Sequence, residues 1–555
     1  DSEGLRSASG DVFGRIYEYF LAEFSKQGAH DGGEFFTPPS IVQTIVNVIE
    51  PDHGVILDPA CGSGGMFVQS SHFIEDAGQG TMKRVTFYGH EKNETTAKLA
   101  QINLAVHGLQ GTIRAGNDAI TYYKDPHELV GKCDFVMANP PFNVDLVDAE
   151  RIKGDPRLPF GLPGVNPKKK VGNGNYLWIS YFWSYLSAKG RAGFVMSSQA
   201  SSAGHTEKEV RRKIVETGDV DVMISIRSNF FYTRTVPCEL WHFDRGKPAG
   251  RKDKVLMLDA RNVYRKVTRK IYDFSAEQMK NLAAIVWLYR GQRERFLALI
   301  REYLGLVCAE GASVPAALAP FETTLADLRG RFEALAKAAA TEPIANAVGE
   351  LREAATLYKA DAKKLVASLS AFSQKHSRTL PMKNDAQRDA RNAFDPHAEA
   401  IRGLVKQVDL LYKLAARVAD LGADVAADDA VSAVYDRRAS SRLVKQLDDE
   451  RKAAVEQLKH AAYFHRQMAW LQDRFPKAEL EAVPGLVKLV DRNDIEAADW
   501  SLTPGRYVGV APPEEDEDFD FEQTLRDIHI ELTDLNKEAA DLAVKIQENF
   551  EELGA

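Results

Sequence analysis

Between Gly54 and Arg261 short apolar runs alternate with stretches of helical character, and this alternation leaves few folds open to the chain. The runs are Val55-Ile56-Leu57, Val85 to Tyr88, Thr112-Ile113, Phe135-Val136-Met137, Gly193 to Met196, Val220 to Ile224 and Glu239-Leu240-Trp241. Strand-helix alternation of this kind predicts an α/β sheet of mostly parallel strands, complete by Arg261. From Ser275 to about Leu480 the character changes. Ala, Leu, Glu, Lys and Arg dominate, and Leu443, Leu447, Val455 and Leu458 recur at helical spacing, so a long helical domain is expected. Pro484-Gly485 ends it. A short extended piece around "SLTPGRYVG", Ser501 to Gly509, leads to an acidic linker from Pro513 to Asp520. In the final helix Leu525, Ile528, Leu532, Leu535, Ala539, Leu542, Ile546 and Leu553 keep a 3-4 rhythm, with Asn549 at the one polar seam position. Such a seam over about four heptads specifies a coiled coil with a partner strand, or a helix folded back on its own helical domain. The expected divisions are 1–33, a helical lead; 34–274, the α/β domain; 275–485, the helical domain; 486–512, a return segment; and 513–555, linker and tail.

The net charge is −8, which argues against a chain that coats nucleic acid unaided. Its distribution is uneven. From Arg151 to Ser275, 24 Lys and Arg stand against 11 Asp and Glu, a surplus of 13 positive charges that leaves −21 on the remainder. Clusters such as Lys168-Lys169-Lys170, Arg211-Arg212-Lys213 and Arg265-Lys266 are expected to track phosphate. Four separated cysteines, Cys61, Cys133, Cys238 and Cys308, make neither a disulfide framework nor a metal pair. His53, His72, His90 and His107 lack ligand spacing, so no metal is expected. The apolar runs are too short to span a bilayer and the first twenty residues lack a signal-peptide layout, so the expected location is the cytoplasm.

The chemistry is concentrated at the ends of the predicted strands. "VILDPACGSGGM" ends its strand at Asp58 and opens the next helix through Gly62, Ser63, Gly64 and Gly65, where a ligand can approach the backbone closely. The pattern is not the dinucleotide fingerprint G-x-G-x-x-G. "FYGHE" puts Glu91 at the next strand tip, placed to accept hydrogen bonds from ribose hydroxyls, and "AGND" puts Asp118 where it can meet an adenine edge. Three acids at successive strand ends beside one glycine loop point to a nucleoside cofactor. In "CDFVMANPPFNVD" the strand stops at Asn139-Pro140-Pro141-Phe142, where two prolines remove two backbone donors and hold the chain stiff.

The ordered set "GGEFFTPPSIVQTIV", "DPACGSGG", "GHE", "GND" and "NPPF" resembles the S-adenosylmethionine-dependent DNA adenine-N6 methyltransferases, above all the modification subunit of type I restriction-modification systems. The resemblance covers about Val12 to Arg261, and "SLTPGRYVG" resembles the C-terminal part of that subunit. It implies a Rossmann-like class I methyltransferase sheet, S-adenosylmethionine as cofactor, and a short N-terminal remnant of the family's helical domain. It also implies double-stranded DNA with a flipped adenine as substrate, a specificity subunit and a restriction subunit as partners, and two copies per complex. Glu34, Phe35, Phe36, Thr37 and Pro38 would line the methionine end of the cofactor, and Asp58, Ala60, Gly62, Ser63, Gly64, Gly65, Glu91 and Asp118 the rest of it. The Thr37-Pro38 pair reads equally as a helix start, with Thr37 as N-cap.

Adenine N6 is a poor nucleophile, because its lone pair is delocalised into the ring. The Asn139 side-chain oxygen and the Pro140 carbonyl are expected to accept its two hydrogens while Phe142 stacks on the extruded base, with Pro141 stiffening the loop. "SNFFYTRTVP", Ser228 to Pro237, resembles the loop that flanks the base, through Phe230 or Phe231, and "GNGNY", Gly172 to Tyr176, the target-side loop. Two other readings stand beside this one. One is a self-sufficient adenine methyltransferase whose segment Ser275 to Leu480 reads DNA; the other is a scaffold that binds cofactor and DNA without methylating.

Overall fold

The computed structural model describes residues 37–76, 78–231, 237–268 and 271–511, with scattered positions between 525 and 547. Nine strands form one sheet: β1 (Gly54–Asp58), β2 (Val85–Glu91), β3 (Gly111–Ala115), β4 (Cys133–Ala138), β5 (Leu186–Ser197), β6 (Val220–Ile226), β7 (Cys238–Asp244), β8 (Lys254–Asp259) and β9 (Val487–Asp491). Their spatial order is β9-β8-β6-β7-β5-β4-β1-β2-β3. Strands β3, β2, β1, β4 and β5 run parallel, as do β6 and β8, whereas β7 lies antiparallel between β5 and β6. The carboxyl ends of β1 to β5 therefore share one edge, where a doubly wound sheet binds its ligand.

All seven apolar runs are strands. Parallel strands are covered on both faces and read as continuous apolar runs. Alternate residues part to opposite sides here: Ile56 of β1 joins a core with α1 (Pro39–Ile49), α2 (Gly65–Asp76) and α3 (Glu94–Val106), while Leu57 joins α4 (Asn175–Tyr185) and α5 (His205–Glu216).

The sheet is not complete at Arg261. Strand β8 follows β7 in sequence, and β9 pairs antiparallel with β8 from Lys254↔Asp491 to Leu258↔Val487 after more than two hundred intervening residues. Those residues hold α6 (Ala276–Tyr289) and four long helices, α7 (Arg293–Ala339), α8 (Glu342–His376), α9 (Asn384–Asp424) and α10 (Arg437–Arg474). Helix α6 starts on a capping box in which Ser275 and Gln278 satisfy each other's end groups. Helix α7 packs on α8 and α10, and α9 on α8 and α10, which closes a four-helix bundle. At 47 residues α7 is about 70 Å long.

Helix α7 is also long and apolar enough, by length and composition alone, to cross a membrane, against the expectation that no run is. Its apolar stripe, including Phe296, Tyr303, Phe321 and Leu328, is buried in the core of the bundle.

The chain divides into two compact units, up to Gly509 and from Val510 onward. In the second, the described seam positions Leu525, Ile528, Leu532, Ala539, Leu542 and Ile546 are helical and exposed. Leu535, Asn549 and Leu553 lie outside the described residues.

Candidate active site

At the sheet's ligand edge the turn after β1 folds back on itself. Asp58 is buried, its Oδ1 accepts the Ala60 N–H at 3.0 Å, and burial pushes its carboxyl well above the ordinary range, with the Glu91 charge adding to the rise. Gly62 and Gly64 take φ of +52° and +80°, a region that side chains rarely occupy, so the turn requires glycine there. Gly65 begins α2, and a Cβ placed on it would meet open space. The Ser63 carbonyl accepts from Asn103 Nδ2 of α3 at 2.9 Å.

Glu91 at the tip of β2 ties this loop down. Its Oε2 accepts the Gly62 N–H at 3.1 Å and its Oε1 the Asn93 N–H at 2.8 Å. Asp118, in the turn after β3, is mostly exposed and paired with Lys124, which holds its carboxyl below the usual range.

The decisive contact lies at the end of β4. Asn139 donates from Nδ2 to Thr37 Oγ1 at 2.9 Å, across 102 residues of sequence. Its Oδ1 is buried and has no hydrogen-bond partner among the described residues. The Thr37 hydroxyl is therefore not the N-cap: α1 begins at Pro39 with Pro38 at the cap and no side-chain capping bond. Pro38 and Pro140 are buried, Pro141 is exposed, and Phe142 is half-buried against both cores. Glu34, Phe35 and Phe36 lie outside the described residues.

A knot of asparagines that the motif reading missed locks this loop. Asn175 Oδ1 accepts the Asn143 N–H at 2.8 Å, and Asn143 Oδ1 accepts from Asn175 Nδ2 at 2.8 Å and Asn173 Nδ2 at 3.1 Å. Gly174 N–H donates to the Val144 carbonyl at 2.7 Å. A Cβ on Gly174 would lie 3.1 Å from the Tyr122 hydroxyl, so the two loops can approach this closely only through glycine. The asparagines in "NPPFNV" and "GNGNY" were the available signal. Arg157, also missed, is buried and donates to the Thr121 and Lys124 carbonyls, both at 2.9 Å, fixing the segment just past Asp118. His90 is buried and bonded to Thr121, whose hydroxyl donates to the Pro59 carbonyl at 2.6 Å. Burial, with His127 and Arg157 nearby, lowers the His90 imidazole to about 3.

A family model described as N-6 DNA Methylase matches residues 8–298, just over half of the chain. The chain belongs to the N-6 DNA methylase family. It is 39% identical over 273 residues to the type I restriction enzyme MjaIX methylase subunit of Methanocaldococcus jannaschii, a match covering 49% of this chain and 48% of that one. It is 36% identical over 285 residues to the HindI methylase subunit of Haemophilus influenzae, covering 51% and 62%. The chain thus spans about half to three-fifths of the length of these relatives. The type I restriction-modification methyltransferase subunit of Streptococcus thermophilus superposes with a TM-score of 0.43 at 21% identity, over 50% of this chain and 57% of that one.

Two sequence expectations bear on side chains around this site, and the second is corrected. Phe230 is buried and packs on Phe274, ring centroids 4.6 Å apart, while Arg227 nearby stacks over Tyr264 and Tyr272. Phe231 is buried as well, and positions 232–236 lie outside the described residues. The basic segment is also not one phosphate-facing surface. Arg211 is buried and donates to the carbonyls of Trp500 and Ala203, Arg212 pairs with Glu209, Lys213 reaches the Phe160 carbonyl, and Arg265 pairs with Asp273. Arg211 and Lys213 are spent on carbonyls within the fold, and Arg212 and Arg265 on exposed ion pairs.

Proposed function

We propose that this chain transfers a methyl group from S-adenosylmethionine to adenine N6 in DNA, as the modification subunit of a type I restriction-modification complex. The observation that carries the reading is the Oδ1 of Asn139 at the end of β4, buried and without a partner among the described residues, with the amide held from its other side by Thr37. An unsatisfied buried acceptor costs about 1–3 kcal/mol, and an arriving N–H donor recovers it. An exocyclic amino group supplies such a donor. The residues at the sheet edge suit the cofactor: two left-handed glycines, an open Gly65, and the carboxylate of Glu91 at the tip of β2.

When bound, S-adenosylmethionine supplies an electrophilic methyl group. Gly62 to Gly65 admit it to the backbone, Glu91 orients its ribose, and Thr37 and Pro38 stand near the methionine end. Asn139 Oδ1 and the Pro140 carbonyl accept hydrogen bonds from the two N6–H groups, which draws the amino nitrogen out of conjugation and turns its lone pair toward the methyl group; one N6 proton is released after the methyl group is attached. Phe142 stacks on the base, worth about 1–3 kcal/mol. The asparagine knot keeps both acceptors placed before substrate arrives.

Sequence recognition comes from a separate specificity subunit, engaged through the helical tail as a coiled coil, in a complex that also takes a restriction subunit and two copies of this chain in the cytoplasm. The bundle suits that reading better than DNA reading of its own. From Arg293 to Arg474 it holds 28 Lys and Arg against 25 Asp and Glu, too little surplus to hold a polyanion. The test is a methyl-transfer assay on genomic DNA with the full chain purified alone and with its co-expressed partner. Site-specific N6-methyladenine that requires the partner supports the reading. Site-specific methylation by the chain alone overturns the partner model.

A further inference from the structure

Four residues past Phe142 the chain presents an apolar side chain where none is needed for folding. Leu146 is 61% exposed, and its φ of +62° is a conformation that residues other than Gly, Asn and Asp rarely hold. Its neighbours are fixed. The Leu146 N–H donates to the Val171 carbonyl at 3.1 Å, Val147 pairs with Val171 and Asp148 with Lys170, and Val165 bridges to Val171 as well. Val147, Ala149, Ile152 and Val171 are all buried, so the small ladder is anchored from beneath. Leu146 and Val165 are its two exposed large apolar residues.

We propose that Leu146 is the wedge that enters the DNA base stack and fills the space left when the target adenine swings out. The inference rests on the adenine-methylation reading above and adds a residue to it. Enzymes that extrude a base meet an unstacking cost, and proteins that unstack base steps insert Leu, Ile, Phe, Met or Pro between them. A wedge must be apolar, exposed, rigidly carried, and close to the loop that receives the base. Leu146 satisfies each condition: it is linked to Phe142 through Asn143 and Val144, both pinned to the Asn173–Asn175 loop. Its surroundings suit a polyanion. Between positions 145 and 171 the exposed charges are Arg151, Lys153, Lys168 and Lys169 against Asp145 and Glu150, and Lys153 and Lys168 make no ion pair among the described residues. The held left-handed backbone follows the pattern of strain kept at functional positions.

The experiment uses the full chain with its partner, on duplex DNA carrying the mapped methylation site. Leu146→Gly removes the side chain at a φ that glycine prefers, so folding is retained, and Leu146→Phe keeps an apolar wedge. Leu146→Gly is expected to leave cofactor affinity and Tm unchanged and to lower methylation of the paired duplex by about tenfold or more. It should also weaken the fluorescence rise of 2-aminopurine at the target position. Its rate should recover toward wild type on a duplex with an abasic site opposite the adenine, where unpairing is already done, and Leu146→Phe should stay near wild type. A Leu146→Gly enzyme that methylates the paired duplex at the wild-type rate overturns the proposal, as does a deficit that persists on the abasic duplex. A wild-type enzyme that makes no N6-methyladenine on either duplex fails the underlying reading instead.

Discussion

Asn139 uses one amide for two purposes, donating to Thr37 while leaving a buried acceptor toward the site. Asn139→Ala should therefore retain cofactor affinity, measured by calorimetry, and lose about 10²-fold or more in turnover, as at other preorganised polar sites. Glu91→Gln removes the charge behind its bond to Gly62 and behind the proposed bond to the ribose, and the expected loss of about 1.5–3 kcal/mol should appear as a cofactor Kd weaker by about 10- to 150-fold with the fold intact. Glu239 is a different kind of acid. It is buried beneath Ser201 and Ser225, and burial pushes its carboxyl up to about 8 from 4.5. The folded chain holds that proton across this window while the unfolded chain releases it, so Glu239 makes stability fall as pH rises from about 4.5 to 8. Urea midpoints of Glu239→Gln should show a shallower decline there, and a slope equal to wild type would assign the pH dependence elsewhere. Asn139 and the glycine loop were legible because each sits at the end of an apolar run. The Thr37 contact was not, because Thr-Pro before an apolar helix has a purely local explanation as a cap.

Among the elements, α6 is joined to the sheet by buried charge. Asp221 of β6 is fully buried, with Arg290 at 3.1 Å, the Tyr289 hydroxyl at 2.8 Å, and Lys247 and Arg251 at 3.8 and 3.7 Å. Asp221→Ala would strip Lys247 of its ion pair and leave Arg290 with Glu50 alone, at 4.0 Å, an expected loss of about 3–5 kcal/mol in chemical denaturation. A loss under 1 kcal/mol would mean that the cations find other partners. The seven apolar runs became strands because parallel strands covered on both faces are apolar throughout. Strand β8 was passed over beside them, and β9, which supplies the sheet edge, cannot be recognised locally, since its partner Lys254–Asp259 lies across the whole bundle. The same remoteness misled the charge reading. Arg211 looks like part of a basic cluster, yet its guanidinium is taken up by the Trp500 carbonyl, 289 residues away.

At the scale of the molecule the bundle is an excursion between two adjacent strands, so the sheet closes only when the chain returns at Val487. A chain ending at Gly509 should fold and bind cofactor like the full chain, while one ending at Arg261 should lose the β9 edge and the buried Ser501-Leu502 segment and resist proteolysis poorly. Removal of the tail after Pro513 should leave cofactor binding intact and abolish site-specific methylation. What remains should be the weak, salt-sensitive DNA binding that exposed lysines alone provide. The central claim is that Asn139 presents adenine N6 to the methyl group. The measurement that bears on it most directly is mass spectrometry of nucleosides from DNA incubated with isotopically labelled S-adenosylmethionine and the partnered wild-type or Asn139→Ala chain. Label in N6-methyladenine alone, lost in Asn139→Ala at unchanged cofactor affinity, is the predicted result. Label on another base, or undiminished N6-methyladenine from Asn139→Ala, would contradict it.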